Sequence, residues 1–264
     1  GVLMCFAEAS GQFLWQLAVP KLVEIESADW FNIGLCSTPV VQRDRAYLVS
    51  NRCEVVCLDM AGMADGNAGP YLDEGRHMMP AGSQPVDPGP ADADIVWLYD
   101  MVGELDVRPH NSANCSVLVD GDYLYVSTSN GVEQTHSRVA NPQAPTLIVI
   151  DKNTGKLIAR DNFGVGEGVI HGQWSSPTLG QIGGKTRLFQ GTGGGMLFGF
   201  DPVAPETRPV AGGQEPNLIE QTWTFNGHPA AQTEDHVPIE HGFNTRSYEV
   251  VANPVFHNDR IYLA

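Results

Sequence analysis

The sequence repeats itself, and this repeat limits the possible folds more than any other feature. A predicted strand, a polar turn and a second strand recur along the chain, in copies that begin at Pro39, Val117, Pro177 and Pro254. In three copies a tyrosine follows eight positions later, at Tyr47, Tyr125 and Tyr262. Such self-similarity indicates stacked supersecondary units, each of which buries its apolar face against the next.

A second half-repeat follows each of the first three copies, and an additional one precedes them all. It predicts a third strand ending in an acidic residue, at Asp59, Asp151 and Asp201, and a fourth strand carrying tryptophan, at Trp15, Trp97 and Trp223. We expect each aspartate to accept hydrogen bonds from the backbone of its own turn. We expect each tryptophan to pack one sheet on the next.

The copies begin farther apart than the roughly 40 to 50 residues of common propeller repeats. Insertions at 60–93, 131–145 and 203–217, rich in glycine, proline and polar residues, account for the excess. We expect these insertions to run over the surface, because irregular segments of this length are seldom buried in a compact fold.

The phrases FAEASGQFLW, VIDKNTGKLIA, DIVWLYD and HGQWSSPTLGQIGGK resemble the pyrroloquinoline-quinone-like (PQQ-like) repeat. This resemblance covers essentially the whole chain and implies an all-β fold, a β-propeller of four-stranded antiparallel blades. The chain would hold about three whole blades and two half-blades within one propeller region, 1–264. The expected division is a half-blade at 1–35, blades at 36–110, 111–170 and 171–245, and a half-blade at 246–264. Family members usually have roughly six to eight blades, so we expect a piece of a larger propeller.

The resemblance implies two functions and does not choose between them. The superfamily includes a lipoprotein scaffold for outer-membrane protein assembly and secreted proteins, which implies a periplasmic or secreted binding protein for a protein partner or a small ligand. It also includes quinoprotein dehydrogenases, which use PQQ, a Ca²⁺ ion, a carboxylate base and usually a disulfide between adjacent cysteines. Adjacent cysteines and a recognisable base motif are absent here, so we prefer the binding function and assign no catalytic residue.

Loops that enter the innermost strands of a propeller lie near its central channel, so we place the candidate binding site there. The candidates are Trp30, Asn32, Arg108, His110, Asn111, Asn114, His171, Gln173, Trp174, Asn244 and Arg246. In a PQQ site, Trp30 or Trp174 would stack on the quinone, and Arg108 or Arg246 would hold its carboxylates. The alternative is that these side chains satisfy the backbone of their loops.

Composition and local spacing exclude several other classes. A formal charge of −16 disfavours nucleic acid and anionic membrane surfaces as partners, and no apolar stretch is long enough to span a membrane. The histidines, notably His110, His171, His236 and His241, show no HxH or HExxH spacing, so a zinc site would need ligands from different blades. We prefer the alternative that they are structural, and we predict no metal site. GTGGGMLFGFD has strand-like flanks, which predicts a tight turn and not a phosphate-binding loop.

Overall fold

The computed structural model describes residues 1–210, 215–227 and 249–264. Its strands are β1 (Val2–Phe6), β2 (Phe13–Ala18), β3 (Val40–Gln42), β4 (Arg45–Val49), β5 (Glu54–Asp59), β6 (Asp94–Asp100), β7 (Leu118–Asp120), β8 (Tyr123–Ser127), β9 (Leu147–Asp151), β10 (Leu157–Asp161), β11 (Thr178–Ile182), β12 (Lys185–Gly191), β13 (Met196–Phe200), β14 (Asn217–Ile219), β15 (Gln221–Asn226), β16 (Val255–His257) and β17 (Arg260–Tyr262). Two short helices, α1 (Glu74–His77) and α2 (Met101–Leu105), and 3₁₀ turns at Gly62–Asp65 and Gly166–Gly168 lie in the connections. Among these residues, no helix has the length and apolar character needed to cross a membrane.

Consecutive strands pair antiparallel and form one sheet after another along the chain. Blade 1 is β3 to β6, blade 2 is β7 to β10, and blade 3 is β11, β12, β13 and β15. An N-terminal hairpin, β1 and β2, precedes blade 1, and a C-terminal hairpin, β16 and β17, follows blade 3. The expectation of an all-β fold with three whole blades of four antiparallel strands and two half-blades is therefore confirmed.

Neighbouring blades are held together by the apolar faces of their strands. Val55 of blade 1 and Ile148 of blade 2 belong to one buried cluster, and Tyr125 of blade 2 and Phe200 of blade 3 belong to another. Each of these side chains is at most 1% exposed. The strands are almost entirely apolar because both faces of a blade are covered. Burial of these side chains is the main contribution to the stability of the stacked sheets.

The two hairpins pack on the outer blades in the same way. Leu17 of the N-terminal hairpin shares a cluster with Leu48 of blade 1. At the other end, the rings of Phe189 in blade 3 and Phe256 in the C-terminal hairpin stack with centroids 6.0 Å apart. The row of sheets therefore extends in both directions from the whole blades.

The tryptophans occupy one repeated register position. The cross-strand pairs are Cys5 with Trp15, Cys57 with Trp97, Val149 with Ala159, and Gly199 with Trp223. The Trp97 indole N–H donates to the carbonyl oxygen of Lys152 in blade 2 at 3.0 Å, and that of Trp15 donates to Met60 in blade 1 at 2.9 Å. Trp223, in contrast, is 44% exposed. Two of the three tryptophans thus fasten one blade to the turn of the next.

Two of the repeated aspartates bind the backbone of their own turns. Asp59 Oδ1 accepts from the backbone N–H of Ala61 at 2.8 Å, and Asp151 Oδ1 accepts from two turn N–H groups at 2.9 Å. Asp201 instead forms an ion pair with Arg187 of the neighbouring strand. The turn of Asp151 continues to Gly155, whose φ of 70° is a left-handed conformation that favours glycine.

The insertions differ in how they join the blades. Insertion 60–93 is tied to blade 1 by His77 of α1, whose Nε2 lies 2.9 Å from the Glu54 carboxylate of β5, with both side chains buried. Insertion 203–217 leads into β14, which pairs in parallel with β10 and adds a fifth strand to the sheet of blade 2. The repeat pattern of the sequence does not predict this strand. The glycine-rich segment after β12 forms the expected turn into β13.

Candidate functional site

The loops that enter the innermost strands meet along one face of the stack. The backbone N–H of Trp30 donates to the carbonyl of Asn111 at 2.7 Å, and the N–H of Asn111 donates to Ser27 at 2.6 Å. Farther along, the N–H of Ser116 donates to Ser176 Oγ at 2.8 Å. The entry loops before blades 1, 2 and 3 therefore form a continuous surface, which we call the entry-loop face (residues 27–33, 108–116, 171–176 and Glu249).

Insertion 131–145 of blade 2 is fixed between two of these loops. The N–H of Gly131 donates to the carbonyl of Arg108 at 2.9 Å, and the N–H of Val132 donates to His171 at 2.8 Å. A Cβ at Gly131 would lie 2.5 Å from the His171 carbonyl oxygen and 2.7 Å from His110 Cβ. Only glycine allows this approach, so the close contact of the three segments depends on Gly131.

Three imidazole rings meet where these segments join. The ring centroid of His110 lies 4.6 Å from that of His136 and 4.6 Å from that of His171, and the last two are 5.1 Å apart. One ring nitrogen of each residue lies within 4.8 Å of the corresponding nitrogen of the other two. His110 is buried and the other two are half-buried, so this histidine cluster (His110, His136 and His171) is partly accessible to solvent.

The ring of His110 is oriented by a single backbone contact. Its Nδ1–H donates to the carbonyl oxygen of Val132 at 2.7 Å. Burial lowers the pKa of His110, which favours the neutral ring. In the neutral ring with the proton on Nδ1, Nε2 carries a lone pair. Within the described part of the chain, this buried atom has no hydrogen-bond partner.

His171 lies between a carboxylate, an amide and an indole. Its Nδ1 is 3.9 Å from Glu249 Oε1, and its Nε2 is 3.4 Å from Asn111 Nδ2. The Trp174 ring meets it edge-on with centroids 4.7 Å apart. Burial, reinforced by the two neighbouring imidazoles, lowers the pKa of His171 to about 4. Burial raises the pKa of Glu249 to about 7.

His136 lies on the tip of insertion 131–145 and was not among the predicted site residues. The tip is held by Glu133, whose carboxylate accepts from the N–H groups of Thr135 at 2.8 Å and Ser137 at 3.2 Å. The hydrogen bonds from Thr135 and Ser137 lower the pKa of Glu133 to about 2. His136 itself has a φ of 59°, a left-handed conformation that is uncommon outside glycine. Its only sequence signal was its position in a polar insertion.

The other predicted residues take different roles. Trp174 supports the cluster, since its indole N–H donates to the carbonyl of His110 at 3.2 Å. Gln173 is buried, and its Oε1 accepts a hydrogen bond from the backbone N–H of Gly193 at 2.9 Å. It therefore joins the entry loop of blade 3 to the turn after β12. Arg108 forms an ion pair with Asp106.

The remaining candidates do not join the cluster. The exposed Trp30 ring stacks on Phe31, with centroids 6.1 Å apart, and Asn32 is also exposed. Asn114 is half-buried beside Cys115, whose Sγ is 3.8 Å from Asn114 Oδ1. Four predicted residues lie outside the described part of the chain: Asn244, Arg246, His236 and His241.

The described residues do not fit a PQQ and Ca²⁺ site of the kind that the family resemblance implies. Ca²⁺ prefers several carboxylate and carbonyl oxygens, whereas the centre of the entry-loop face is three imidazoles. The Arg108 guanidinium is already paired with a carboxylate. Trp174 meets His171 edge-on, and Trp30 is stacked on Phe31. No step of a quinone reaction can be assigned to these side chains.

Comparison with known proteins adds solved structures of similar fold. No protein-family model matches the sequence, and no curated protein matches it. The structure is similar to BamB from Moraxella catarrhalis, at 12% identity and a TM-score of 0.49, over 100% of this chain and 49% of that one. It is also similar to quinohemoprotein alcohol dehydrogenase from Comamonas testosteroni, at 10% identity and a TM-score of 0.39, over 80% and 40% of the two chains.

A europium-containing methanol dehydrogenase is similar at 9% identity and a TM-score of 0.44, over 78% of this chain and 37% of that one. The chain thus spans about half the length of BamB and less of the two dehydrogenases. These likenesses concern the fold alone, and the blade architecture rests on the strand pairing of the chain itself.

Proposed function

We propose that this chain is a binding region of a β-propeller that presents its entry-loop face to a small ligand, without catalysis of its own. One observation carries the proposal. Three consecutive residues of the loop before blade 2 each keep a buried side-chain atom without a hydrogen-bond partner among the described residues, namely His110 Nε2, Asn111 Oδ1 and Ser112 Oγ. A bound ligand would pair these atoms.

The energetic cost of these atoms supports a bound partner. A buried polar group left without a hydrogen bond costs about 1–3 kcal/mol, and native proteins keep few such groups. Three in succession on one loop therefore represent a cost of several kcal/mol, which a ligand or an ordered water would relieve on binding.

The chemistry of these atoms indicates the kind of ligand. Asn111 Oδ1 is an acceptor, His110 Nε2 is an acceptor in the neutral ring, and the Ser112 hydroxyl can serve as one. The formal charge of −16 attracts cations to the surface. We therefore infer a ligand that brings hydrogen-bond donors or positive charge. A periplasmic or secreted location is part of the proposal and is supported by the repeat phrases that resemble the PQQ-like family.

The proposal is tested by titrating ligands into the chain after metal ions have been removed with a chelator. Binding is monitored by the NMR resonances of the histidine rings and the Trp174 indole. Methylguanidinium and spermidine are the donor-bearing probes, and phosphate and oxalate are the acceptor-only probes. We expect the cationic probes to shift the resonances of His110, His171 and Trp174, and the anions to leave them unchanged.

Two serine variants make the test specific to the face. Ser112→Ala removes one of the three atoms and should weaken binding of the cationic probes roughly 2- to 12-fold, the worth of one hydrogen bond. Ser127→Ala, a buried serine inside β8, is the matched control and should leave binding unchanged. If neither cationic probe binds, or if the anions bind equally well, the proposed function is wrong.

A further inference from the structure

We propose that the histidine cluster binds one divalent metal ion of the zinc class through one imidazole nitrogen each from His110, His136 and His171. This inference rests on the proposed function, because it names one cation that would bind to the entry-loop face. It differs from the sequence-based interpretation, which treated the histidines as structural and did not consider His136.

The arrangement of the three nitrogens is close to that of a metal site. They lie within 4.8 Å of one another. Zinc–nitrogen bonds are about 2.0–2.1 Å long, so two nitrogens on a tetrahedral ion stand roughly 3.4 Å apart. A closing movement of about 1.5 Å at most is needed, which small rotations of the side chains can supply. His136, on the tip of an insertion, is the ligand best placed to make this movement.

His110 is already oriented as a ligand. The neutral ring that donates its Nδ1–H to the Val132 carbonyl has a lone pair on Nε2. Ligating histidines are commonly fixed through the other ring nitrogen in this manner. Because the buried Nε2 has no hydrogen-bond partner among the residues that the structure describes, an ion at the cluster would satisfy it without breaking a described hydrogen bond of this atom.

His171 is surrounded in a way that favours the same tautomer. The Glu249 carboxylate, 3.9 Å from Nδ1, is placed to accept the proton of that nitrogen after a small approach. The Asn111 amide nitrogen lies 3.4 Å from Nε2, on the side that would carry the lone pair. A carboxylate behind a ligating imidazole raises its basicity and fixes its ring. Binding of the ion would displace the amide of Asn111.

The ligand set indicates which ion would bind. Neutral imidazoles suit zinc, copper, nickel and iron, whereas Ca²⁺ and Mg²⁺ prefer oxygen ligands. Three protein ligands leave a fourth position on a tetrahedral ion, as in zinc sites that exchange a ligand. Since His136 and His171 are half-buried, the cluster is partly accessible to solvent, and a ligand of the propeller could complete the coordination of the ion.

The test measures zinc binding by the full chain after removal of metal with a chelator. Equilibrium dialysis with Zn²⁺ gives stoichiometry and affinity, and Co²⁺ reports the coordination geometry through its visible absorption. We expect one Zn²⁺ per chain and a Co²⁺ spectrum of tetrahedral or five-coordinate type. His136→Asn should weaken zinc binding at least about 10- to 100-fold, because removal of a ligand costs no less affinity than removal of a group that only orients a ligand.

His136→Asn is chosen because asparagine tolerates the left-handed backbone of this position, so the variant should fold. The matched control is His257→Asn, which removes an exposed histidine of the C-terminal hairpin and should leave zinc affinity unchanged. Melting temperatures of both variants without metal should equal that of the parent chain. A chain that binds no zinc, or whose affinity falls equally in the two variants, overturns the inference.

The two proposals fail separately. If methylguanidinium still binds to the chelated chain but zinc does not, only the metal site is wrong. If neither methylguanidinium nor spermidine perturbs the resonances of His110 and His171, the proposed binding function is wrong, and the zinc titration alone decides the metal site.

Discussion

Replacement of Trp97 by alanine tests whether the repeated tryptophan fastens one blade to the next. Trp97 is 4% exposed, and its indole N–H binds the carbonyl of Lys152 in the following blade at 3.0 Å. Its ring also lies against the turn of that blade, because a Cβ at Gly155 would come within 2.6 Å of it. Removal of the side chain therefore opens a cavity between two blades and leaves one carbonyl without its donor.

The expected loss follows from this enclosure. Truncation of a buried tryptophan to alanine typically lowers the free energy of unfolding by about 3–5 kcal/mol. Because a hydrogen bond is lost as well, we expect about 4 kcal/mol for Trp97→Ala. For a chain of this size that loss lowers the melting temperature by roughly 8–16 °C. Trp223, at the equivalent register position, is 44% exposed. Trp223→Ala should cost less than about 2 kcal/mol, since about half of the ring area is already in contact with water.

The assay is guanidinium-induced unfolding followed by far-ultraviolet circular dichroism, because substitution of tryptophan alters fluorescence directly. Stacked repeats can unfold in steps, so the slope of the transition must be the same in parent and variant before the free energies of unfolding are compared. Equal losses for Trp97→Ala and Trp223→Ala would refute the reasoning. They would show that the tryptophan acts within its own sheet and not between blades.

Two further predictions concern a glycine in a turn and the dependence of the free energy of unfolding on acidic pH. Gly155→Ala should destabilise the chain more than Gly11→Ala does. Both glycines have φ near 70°, but only a methyl group at Gly155 would overlap the Trp97 ring. Thermal unfolding of the two variants measures the difference, and equal losses of stability would contradict this prediction. Burial is the strongest single influence on Glu54 and would raise its pKa, but the hydrogen bond and charge of His77, together with Ser50 and Arg52, lower the pKa overall. The stabilisation by this carboxylate is therefore present above the ordinary glutamate pKa and is lost as pH falls through the lowered one. Glu54→Gln should flatten the dependence of the free energy of unfolding on pH in that acidic range, and an unchanged slope would refute this assignment.

The fold was predictable because each repeat is determined locally. The alternation of apolar strands with turns such as the one from Asp151 to Gly155 specifies antiparallel pairing of neighbours in sequence, and this pairing is what the sheets show. The position of the tryptophans was predictable for the same reason. Strand β14 was not, because its parallel pairing with β10 joins two blades and depends on where insertion 203–217 is directed by the tertiary packing.

The candidate site was only partly predictable. The entry loops could be identified from their place before each inner strand, and His110, His171 and Trp174 do lie together. Arg108 and Trp30 have the residue types of a pocket but are engaged with Asp106 and Phe31. A list of polar loop residues cannot separate side chains that face a pocket from those that pair beside it.

The sequence by itself determined the blades, their order and the loops that border one face, since these follow from contacts between residues close in the chain. Only the tertiary structure decided that His136 joins His110 and His171. These residues lie in three separate segments, dozens of residues apart, and no local spacing connects them. They meet because the backbone of Gly131 and Val132 is hydrogen-bonded to both entry loops, and this contact exists only when blades 2 and 3 are packed side by side.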